Sequence, residues 1–290
     1  MLLLADRNII GLMKYGFVLP RGDARIVSDF AYEAEQAGWD GFFVWEPVWG
    51  NDAWVCLAAA AMRTHRIRLG TMLTPPSRMR PWKLASETVT LDHLSNGRVI
   101  LAVGLGAVDT GFEEFDEVTD RRSRAELLDE SLEILTLLWK AQPFDFDGNH
   151  YHIHLKKIGG PLGAPPPVQQ PRIPIWVVGA WSRSKSMARV LRYDGLLPAM
   201  MGTDGKVLFS PPTPADLRDM AAYIKANRSA TTPFDIVMEG QTPGDDPEKA
   251  AALMRPYAEA GATWWNESMW DAQENNTVLA RIRQGPPRVG

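Results

Sequence analysis

The chain has 290 residues, of which 45% are hydrophobic and 23% charged, a balance that excludes a largely disordered protein. Its 31 basic and 35 acidic side chains leave a formal net charge of −4, so no general attraction for nucleic-acid phosphates is expected. Cys56 is the single cysteine, which excludes an internal disulfide and a multi-cysteine zinc site and favours a reducing, cytoplasmic location.

The amino terminus carries a short apolar run that Asp6 and Arg7 interrupt. This run is too short for the apolar core of a signal peptide, and no stretch of the chain approaches the 18 or so apolar residues of a membrane span. We therefore predict a soluble protein with no membrane segment. Residues 1–13 are expected to form an amino-terminal extension that precedes the first strand.

The first half of the chain alternates predicted strands and helices. Asp23 is a candidate cap for the first helix and Gly38 a candidate terminator, because apolar residues recur between them at steps of three and four. Short apolar runs predict strands, and amphipathic segments predict helices. The strands are predicted at residues 15–19, 41–45, 67–73 and 99–103, and the helices at 23–38, 52–63, 82–95 and 121–140.

The alternation breaks at residues 142–174 and then resumes. Residues 145–150 carry Asp-Gly and Gly-Asn turn signals between aromatic residues, which predicts an inserted β-hairpin, and a loop rich in proline and glycine follows it. The later strands are predicted at residues 175–178, 195–197, 234–238 and 262–265, with helices from 184, over 214–227 and from 247 to about 261.

Eight strands that are each followed by a helix predict a (β/α)8 TIM barrel of the α/β class, with a β-hairpin and loop insertion after the fourth helix. Residues 14–290 are then a single barrel domain and residues 142–174 its insertion. A doubly wound open sheet is the alternative, although such sheets usually have fewer units.

A barrel sorts the polar residues by position, because catalysis takes place at the carboxyl ends of the strands while the opposite face serves stability. His65 and His93 fall on the stability face, where His93 is expected to bond a nearby carbonyl. The residues expected on the active face are Arg21, Glu46, Thr71, Thr74, Asp109, Ser182, Ser184, Glu239, Asn266 and Glu267.

The segment from Gly179 to Ser184 joins the fifth barrel strand to its helix. Backbone N–H groups at such a position favour an anion, and Ser182 and Ser184 add hydroxyl donors. The sequence leaves two interpretations open, a phosphate site and simple capping of the helix by a serine.

Two other patterns are weaker. His150, His152 and His154 alternate along a predicted strand, but no carboxylate cluster of recognisable spacing supports them, so a solvated hairpin is favoured and no metal site is predicted. Gly104 and Gly106 follow a strand but lack the third glycine of a dinucleotide-binding loop. Glycines at this point instead allow a flat ligand to lie close to the backbone.

Several segments together resemble the bacterial luciferase-like monooxygenase family. The resemblance runs in order from about Lys14 to Glu267, and it is specific for the family without indicating a substrate. The segments that carry it are residues 67–75, 80–81, 90–98, 148–151, 174–179 and 193–195, which read IRLGTMLTP, RP, TLDHLSNGR, GNHY, PIWVVG and YDG.

The resemblance implies a barrel that binds reduced FMN, or the related deazaflavin coenzyme F-420, across its mouth. It also implies a non-proline cis peptide at the end of the third strand, between Met72 and Leu73. The residues implied to line the ring are Thr71, Met72, Leu73, Gly104 and Gly106, and those implied for the cofactor phosphate are Gly179, Ala180, Trp181, Ser182 and Ser184.

One position departs from the family pattern. Family members commonly carry an acid followed by a histidine at the end of the second strand, whereas this chain has Glu46 followed by Pro47. Proline has no side-chain proton to exchange, so the histidine's role is either lost or moved. If Glu46 is buried beside the ring, its pKa will rise and suit acid–base work; the alternative is a carboxylate that only shapes the mouth.

The leading prediction is a flavin-dependent oxidoreductase, a monooxygenase that uses reduced FMN and O₂ on a small organic substrate, with a separate flavin reductase as a candidate partner. Glu46, Asp109 and Glu267 are the candidate catalytic groups. The close alternative keeps the fold and uses the deazaflavin coenzyme for hydride transfer. Further alternatives are a glycoside hydrolase barrel with Glu46 and Glu267 as paired carboxylates, and a non-catalytic flavin-binding protein.

The oligomeric state is predicted from the same resemblance. Barrels of this family commonly pair through helices near the start of the barrel, and the alanine-rich helix at residues 52–63 would allow close contact between helices. A homodimer is therefore expected.

Overall fold

The computed structural model describes residues 13–157, 163–202, 207–208 and 210–287, and in it eight parallel strands close into a barrel. Going round the barrel, the eight strands follow one another in chain order. A separate antiparallel hairpin comes between the fourth and fifth of them along the chain and is not part of the barrel. The strands are β1 (Lys14–Leu19), β2 (Gly41–Val44), β3 (Arg68–Thr71), β4 (Val99–Val103), the hairpin pair β5 (Phe144–Asp147) and β6 (His152–Leu155), β7 (Ile175–Trp181), β8 (Gly195–Met200), β9 (Asp235–Gly240) and β10 (Trp264–Ser268).

Helices follow the barrel strands, and the predicted (β/α)8 architecture is confirmed. Two short 3₁₀ turns, Pro76–Arg78 and Val108–Thr110, lie in the loops after β3 and β4. The α-helices in the described residues are α1 (Ala24–Ala37), α2 (Ala53–Arg63), α3 (Pro81–Leu94), α4 (Arg121–Trp139), α5 (Ser184–Val190), α6 (Pro214–Asn227), α7 (Pro247–Glu259) and α8 (Asn275–Gln284).

Local capping chemistry sets several of these bounds. The carboxylate of Asp23 accepts the backbone N–H groups of Arg25 and Ile26, both at 2.9 Å, and Gly38 ends α1 with a φ of 89°. Helix α6 spans the predicted residues and begins with a reciprocal capping box between Thr213 and Asp216. The helix ends that the sequence predicted therefore rest on the hydrogen bonds expected of those residue types.

Three aromatic side chains fill the inside of the barrel. The rings of Phe43 and Trp176 lie 5.4 Å apart between centroids, and those of Trp176 and Trp264 lie 5.1 Å apart. All three are almost completely buried. Glycines on the neighbouring strands leave room for them, since a Cβ on Gly70 would lie 3.2 Å from the Phe43 ring and one on Gly195 would lie 2.3 Å from Trp176.

The opposite end of the barrel, at the amino ends of the strands, is closed by buried charged groups. The guanidinium of Arg98 donates five hydrogen bonds of 2.7–3.0 Å, to the carbonyls of Ala61, Thr64, Ile67 and Ser95 and to the hydroxyl of Thr64. The carboxylate of Glu35 accepts three consecutive backbone N–H groups, from residues 65–67. These bonds satisfy the backbone of the connection from α2 to β3, as expected for the stability face.

The inserted hairpin lies against α3 and α4. The buried ring of Tyr151 packs edge-on against Trp82, and Glu130 accepts the backbone N–H groups of residues 149–151. His152 and His154 are exposed, and each is paired across the hairpin with an aspartate. Among the described residues no group of three or more His, Cys, Asp or Glu side chains is arranged to hold a metal ion.

No helix within the described part of the chain is both long enough and apolar enough to cross a membrane. The amino-terminal extension predicted at residues 1–13 lies outside the described residues, except for Met13, which is buried beside β1.

Candidate active site at the barrel mouth

A cis peptide between Met72 and Leu73 follows β3 directly, at the position that the family resemblance implied. The chain on either side stays joined to the neighbouring strands. The N–H of Met72 donates to the carbonyl of Val44 at 2.8 Å, and the N–H of Thr74 donates to the carbonyl of Ala102 at 2.9 Å. The segment from Thr71 to Leu73 is therefore held between β2 and β4 at the carboxyl ends of the strands, and we call it the projection after β3.

Glu46 lies beside this projection. Its side chain is 9% exposed, and the hydroxyl of Thr74 donates a hydrogen bond to its Oε2 atom. Burial raises the pKa of Glu46 to about 7, although the bond from Thr74 and the nearby guanidinium of Arg78 oppose that rise. The carboxyl group therefore exchanges its proton close to neutral pH, as the sequence predicted for a buried Glu46.

Thr71 extends this arrangement inward. The hydroxyl oxygens of Thr71 and Thr74 lie 2.8 Å apart. A hydroxyl has one hydrogen to donate, so while Thr74 donates to an ionised Glu46, Thr71 must donate to Thr74. The end of β3 thus holds the carboxylate of Glu46 through a chain of two hydroxyls.

Arg78, which ends the 3₁₀ turn after β3, joins three loops. Its Nη2 atom donates to the carbonyl of Pro47 at 3.1 Å and lies 3.7 Å from Oε1 of Glu46. Its guanidinium also lies 5.6 Å from the centre of the Phe112 ring, in the loop after β4. The loops after β2, β3 and β4 therefore converge on one buried side chain.

The loop after β4 is held from its other side. The guanidinium of Arg124, on α4, lies 5.8 Å from the centre of the Phe112 ring, so two arginines contact one buried aromatic ring. Arg124 also donates to the carbonyls of Leu105 and Gly106, at 2.8 and 3.0 Å. These contacts fix this part of the loop to α4.

Gly104 and Gly106 keep the backbone of this loop close to the projection after β3. A Cβ on Gly104 would lie 3.0 Å from the side chain of Leu73, and one on Gly106 would lie 2.7 Å from the ring of Phe112. Gly106 also has a φ of 76°, a conformation that other residues rarely adopt. Leu73 and the glycine loop therefore stand side by side, and together they leave a surface on which a flat ring could lie.

On the β9 and β10 side of the barrel lies a second carboxyl group, that of the half-buried Glu239. The indole N–H of Trp270 donates to Oε1 of Glu239 at 2.6 Å, and burial raises the pKa of this carboxyl group although bonds from Trp270 and Ser268 oppose the rise. Asn266 lies opposite Glu239 in the register of β9 and β10, and its side chain has no solvent-exposed surface.

In the predicted phosphate segment, from Gly179 to Ser184, the first three residues contact the neighbouring helices and the two serines are exposed. Gly179 faces α5, because a Cβ there would lie 3.1 Å from the sulfur of Met187, and the N–H of Ala180 donates to the hydroxyl of Ser186. Trp181 packs edge-on against Tyr223 of α6 and precedes a second non-proline cis peptide. The hydroxyl groups of Ser182 and Ser184 are on exposed residues and no side chain caps α5.

The structure separates the three candidate catalytic groups. Asp109 is exposed on the 3₁₀ turn after β4. Glu267 lies on the outer side of β10, where its carboxylate accepts the N–H of Thr242 at 2.9 Å and the Nε–H of Arg281 from α8 at 3.3 Å. Glu46 and Glu267 are therefore not brought together as a carboxylate pair inside the barrel.

Sequence reasoning gave no specific role at the site to Thr74 or Phe112. Thr74 was expected on the active face from its position after β3, which is the only signal that the sequence carried. The contact between Phe112 and Arg78 joins residues 34 positions apart, and no local pattern predicts it.

Comparison with known proteins places this geometry in a family. The model of the luciferase-like monooxygenases matches residues 13–285. Among curated proteins, an F-420-dependent glucose-6-phosphate dehydrogenase of Amycolatopsis mediterranei is 33% identical over 157 residues, which cover 50% of this chain and 46% of that protein. The chain spans about half the length of the curated relatives it matches.

Two solved structures share the fold. An F-420-dependent secondary alcohol dehydrogenase superposes with a TM-score of 0.74 at 15% identity, covering 96% of this chain and 99% of that one. A monooxygenase from Streptomyces bottropensis superposes with a TM-score of 0.68 at 19% identity, covering 94% and 97%. At these identities the superpositions show the fold alone.

Proposed function

The chain belongs to the luciferase-like monooxygenase family, and on that premise we propose that it is an oxidoreductase that uses the deazaflavin coenzyme F-420 to transfer a hydride to or from a small organic substrate. The observation that carries this choice is the buried Glu46, whose carboxyl group exchanges its proton near neutral pH beside the projection after β3. Hydride transfer between an alcohol and a carbonyl compound moves one proton with each hydride, so it needs such a group.

The sequence relatives support the same coenzyme. The curated relative from Amycolatopsis mediterranei, and others of the same name from Nocardia farcinica and Kineococcus radiotolerans, are named as F-420-dependent and are 33–36% identical to parts of this chain. Their substrate is not carried over, because each match covers less than half of the relative.

The residues around the mouth fit a flat ring. The ring would lie against the projection formed by Thr71, Met72 and Leu73 and the loop of Gly104 and Gly106, where glycine keeps the backbone close. The polar tail would reach the exposed Ser182 and Ser184. When bound, the coenzyme would supply the two-electron chemistry that the side chains of this chain lack.

Glu46 would hold the proton that accompanies the hydride. In the reducing direction its protonated carboxyl group donates to the developing alkoxide oxygen, and in the oxidising direction its carboxylate accepts the hydroxyl proton. Thr71 and Thr74 orient the carboxyl group. Because Pro47 replaces the histidine that is common in the family, we assign the proton transfer to the residue before it.

Arg78 would set the protonation of Glu46 and keep its loop closed. The guanidinium stabilises the carboxylate form at 3.7 Å, and its bond to the carbonyl of Pro47 fixes the loop that carries Glu46. Phe112 covers this ion pair from the loop after β4, which helps to exclude water from it.

An FMN-dependent monooxygenase is the second candidate, favoured by the description of the matching family model. In that case reduced FMN would be delivered by a separate reductase, and O₂ would be consumed. The rigid mouth described above would serve either ring.

A titration of the purified chain separates these functions. Tryptophan fluorescence is followed with oxidised F-420, FMN and reduced FMN, and any complex is then assayed for O₂ consumption. Saturable micromolar binding of F-420, with FMN at least about tenfold weaker, supports the proposal. Preferential binding of reduced FMN with O₂ consumption replaces it with the monooxygenase, and binding of none of the three refutes both.

A homodimer is the quaternary state that we propose for this enzyme. The outer face of α2 carries Val55 and Met62, which are 63% and 70% exposed. Half-buried alanines lie between them, so a second helix can approach closely.

A further inference from the structure

Asn266 is a polar side chain that the fold buries and does not satisfy. Within the described residues it has no exposed surface, and neither its amide nitrogen nor its amide oxygen has a hydrogen-bond partner. A primary amide can donate two hydrogen bonds and accept two, and buried amides in folded proteins are nearly always paired. This group therefore requires an explanation.

The side chain points into the barrel. Trp264, two residues earlier on β10, belongs to the aromatic filling, while Trp265 packs outward against Tyr257 of α7. Asn266 shares the inward side with Trp264, and a Cβ on Gly16 of β1 would lie 2.1 Å from its amide oxygen. The absence of a side chain at residue 16 thus leaves the space that the amide occupies.

The carboxyl group of Glu239 is the neighbouring polar group. Glu239 lies opposite Asn266 in the strand register, and its carboxyl group is bonded by Ser268, the last residue of β10, and by the indole of Trp270 in the segment that follows. Trp270 is 38% exposed. Movement of this indole away from Glu239 would open the β9 and β10 side of the mouth.

The projection after β3 and the glycine loop lie on the β3 and β4 side of the barrel, where the ring is proposed to bind. In the closed barrel β9 lies opposite β3 and β10 lies opposite β4, with three strands between the members of each pair on either side. The Asn266 side therefore faces the part of the mouth that is left for the substrate.

We propose that Asn266 and Glu239 form a substrate subsite for an uncharged hydroxyl group that is remote from the carbon undergoing hydride transfer. The inference rests on the proposed function and adds a substrate class, neutral compounds with more than one hydroxyl group.

The chemistry of the pair selects this class. A hydroxyl group both donates and accepts, and so it matches an amide that has both capacities free. A carboxylate or phosphate would instead meet the carboxyl group of Glu239, which repels it when ionised. A hydrocarbon would leave the amide unpaired, which is costly in a buried site.

The test compares polyols with alcohols of the same carbon skeleton. Glycerol is matched with propan-2-ol, and myo-inositol with cyclohexanol. Their dissociation constants for the full chain are measured from ligand-dependent melting temperatures, with and without F-420. Wild type is compared with Asn266→Leu, which is close in volume, and with Trp54→Phe, which removes another buried unpartnered N–H in α2, away from the mouth.

We expect wild type to bind at least one polyol about tenfold more tightly than its matched alcohol, and Asn266→Leu to lose that preference while melting at a higher temperature without ligand. Trp54→Phe should keep the preference. Polyols stabilise folded proteins in general, and because this control variant shares that effect, only a difference between it and Asn266→Leu reports specific binding.

Three results overturn the proposal. The first is equal binding of polyol and alcohol by wild type, and the second is a preference that survives in Asn266→Leu. The third is a melting temperature of ligand-free Asn266→Leu below that of ligand-free wild type, which would mean that the amide is already paired. Failure of F-420 to bind refutes the proposed function instead, and it leaves the polyol preference of the coenzyme-free chain as a separate result.

Discussion

Arg78 holds its Nη2 atom 3.7 Å from Oε1 of Glu46, and each of the two side chains is less than a tenth exposed. The same nitrogen donates to the carbonyl of Pro47, so the cation is fixed to the loop that carries the acid. The distance exceeds that of a hydrogen bond, and burial still raises the pKa of Glu46 to about 7. This relationship leaves Glu46 able to take up and release a proton in the physiological range.

Replacing Glu46 with glutamine tests its role in proton transfer. Glutamine keeps the size and accepts the bond from Thr74 but exchanges no proton. We expect kcat for F-420-linked turnover to fall by about 10²-fold or more, with the dissociation constant of F-420 changed less than about threefold. The control is Glu248→Gln, at an exposed position on α7. Retention of wild-type kcat by Glu46→Gln would remove Glu46 from the chemistry.

The pH dependence of the rate should follow the pKa of Glu46, which is about 7. Reduction of a carbonyl compound needs the protonated form and should slow above pH 7, whereas oxidation of an alcohol needs the carboxylate and should slow below it. In Arg78→Met the cation that stabilises the carboxylate is lost, so the pH profiles of both reactions should move to higher pH. Arg78→Lys, which keeps the positive charge, should reverse most of this shift. Profiles that do not move in Arg78→Met contradict this coupling.

The same raised pKa predicts a pH-dependent cost in stability. The ordinary pKa of the carboxyl group is near 4.5, so between pH 4.5 and 7 the folded chain binds more protons than the unfolded chain, and its stability falls as pH rises. Above pH 7 the full cost is about 3 kcal/mol, which Glu46→Gln avoids. Urea unfolding at pH 5 and pH 8.5 should therefore show that the variant gains relative to wild type at the higher pH; an equal difference at both would be inconsistent with a buried, titrating Glu46.

At the other end of the barrel, Arg98→Met should destabilise the fold without changing the site. The substitution leaves four buried carbonyls without their donor, and the expected loss is about 3–5 kcal/mol in free energy of unfolding. Arg63, which forms an exposed pair with Asp29, is the matched control, and Arg63→Met should cost less than about 1 kcal/mol. Urea denaturation at pH 7 measures both, and similar losses in the two variants would show that the bonds of Arg98 add little.

The proposed dimer is tested on the outer face of α2. Val55→Glu and Met62→Glu place charges where a second apolar helix would pack, so sedimentation velocity at micromolar concentration should show dimer for wild type and monomer for the double variant. Exposed Lys225→Glu on α6 serves as the charge control. A double variant that stays dimeric would place the interface elsewhere.

Much of the fold could be predicted because local chemistry decides it. Asp23, Gly38 and Thr213 cap helices through bonds to residues within a few positions, and short apolar runs alternate with amphipathic segments at distinct periods. The family resemblance supplied the cis peptide between Met72 and Leu73, which no propensity indicates.

The site was harder to predict because it depends on strand ends and side-chain direction. Strand β10 was predicted at 262–265 and observed as Trp264–Ser268, so Glu267 falls within the strand and its side chain faces α8. Successive residues of a strand face opposite sides, and a small change in the bounds decides whether a residue lies in the strand or in the loop that lines the mouth. The contact between Arg78 and Phe112 depends on packing between loops.

The aromatic filling of the barrel limits the routes by which small molecules and protons reach Glu46. Phe43, Trp176 and Trp264 are almost completely buried and fill the inside of the barrel beneath the mouth, so they stand in the way of a water path along its axis. In the proposed function, substrate, product and the exchanged proton would then all reach Glu46 from the mouth of the barrel. A product that dissociates slowly would also delay re-equilibration of the acid with solvent, so turnover should respond to solvent viscosity and to deuterated water together.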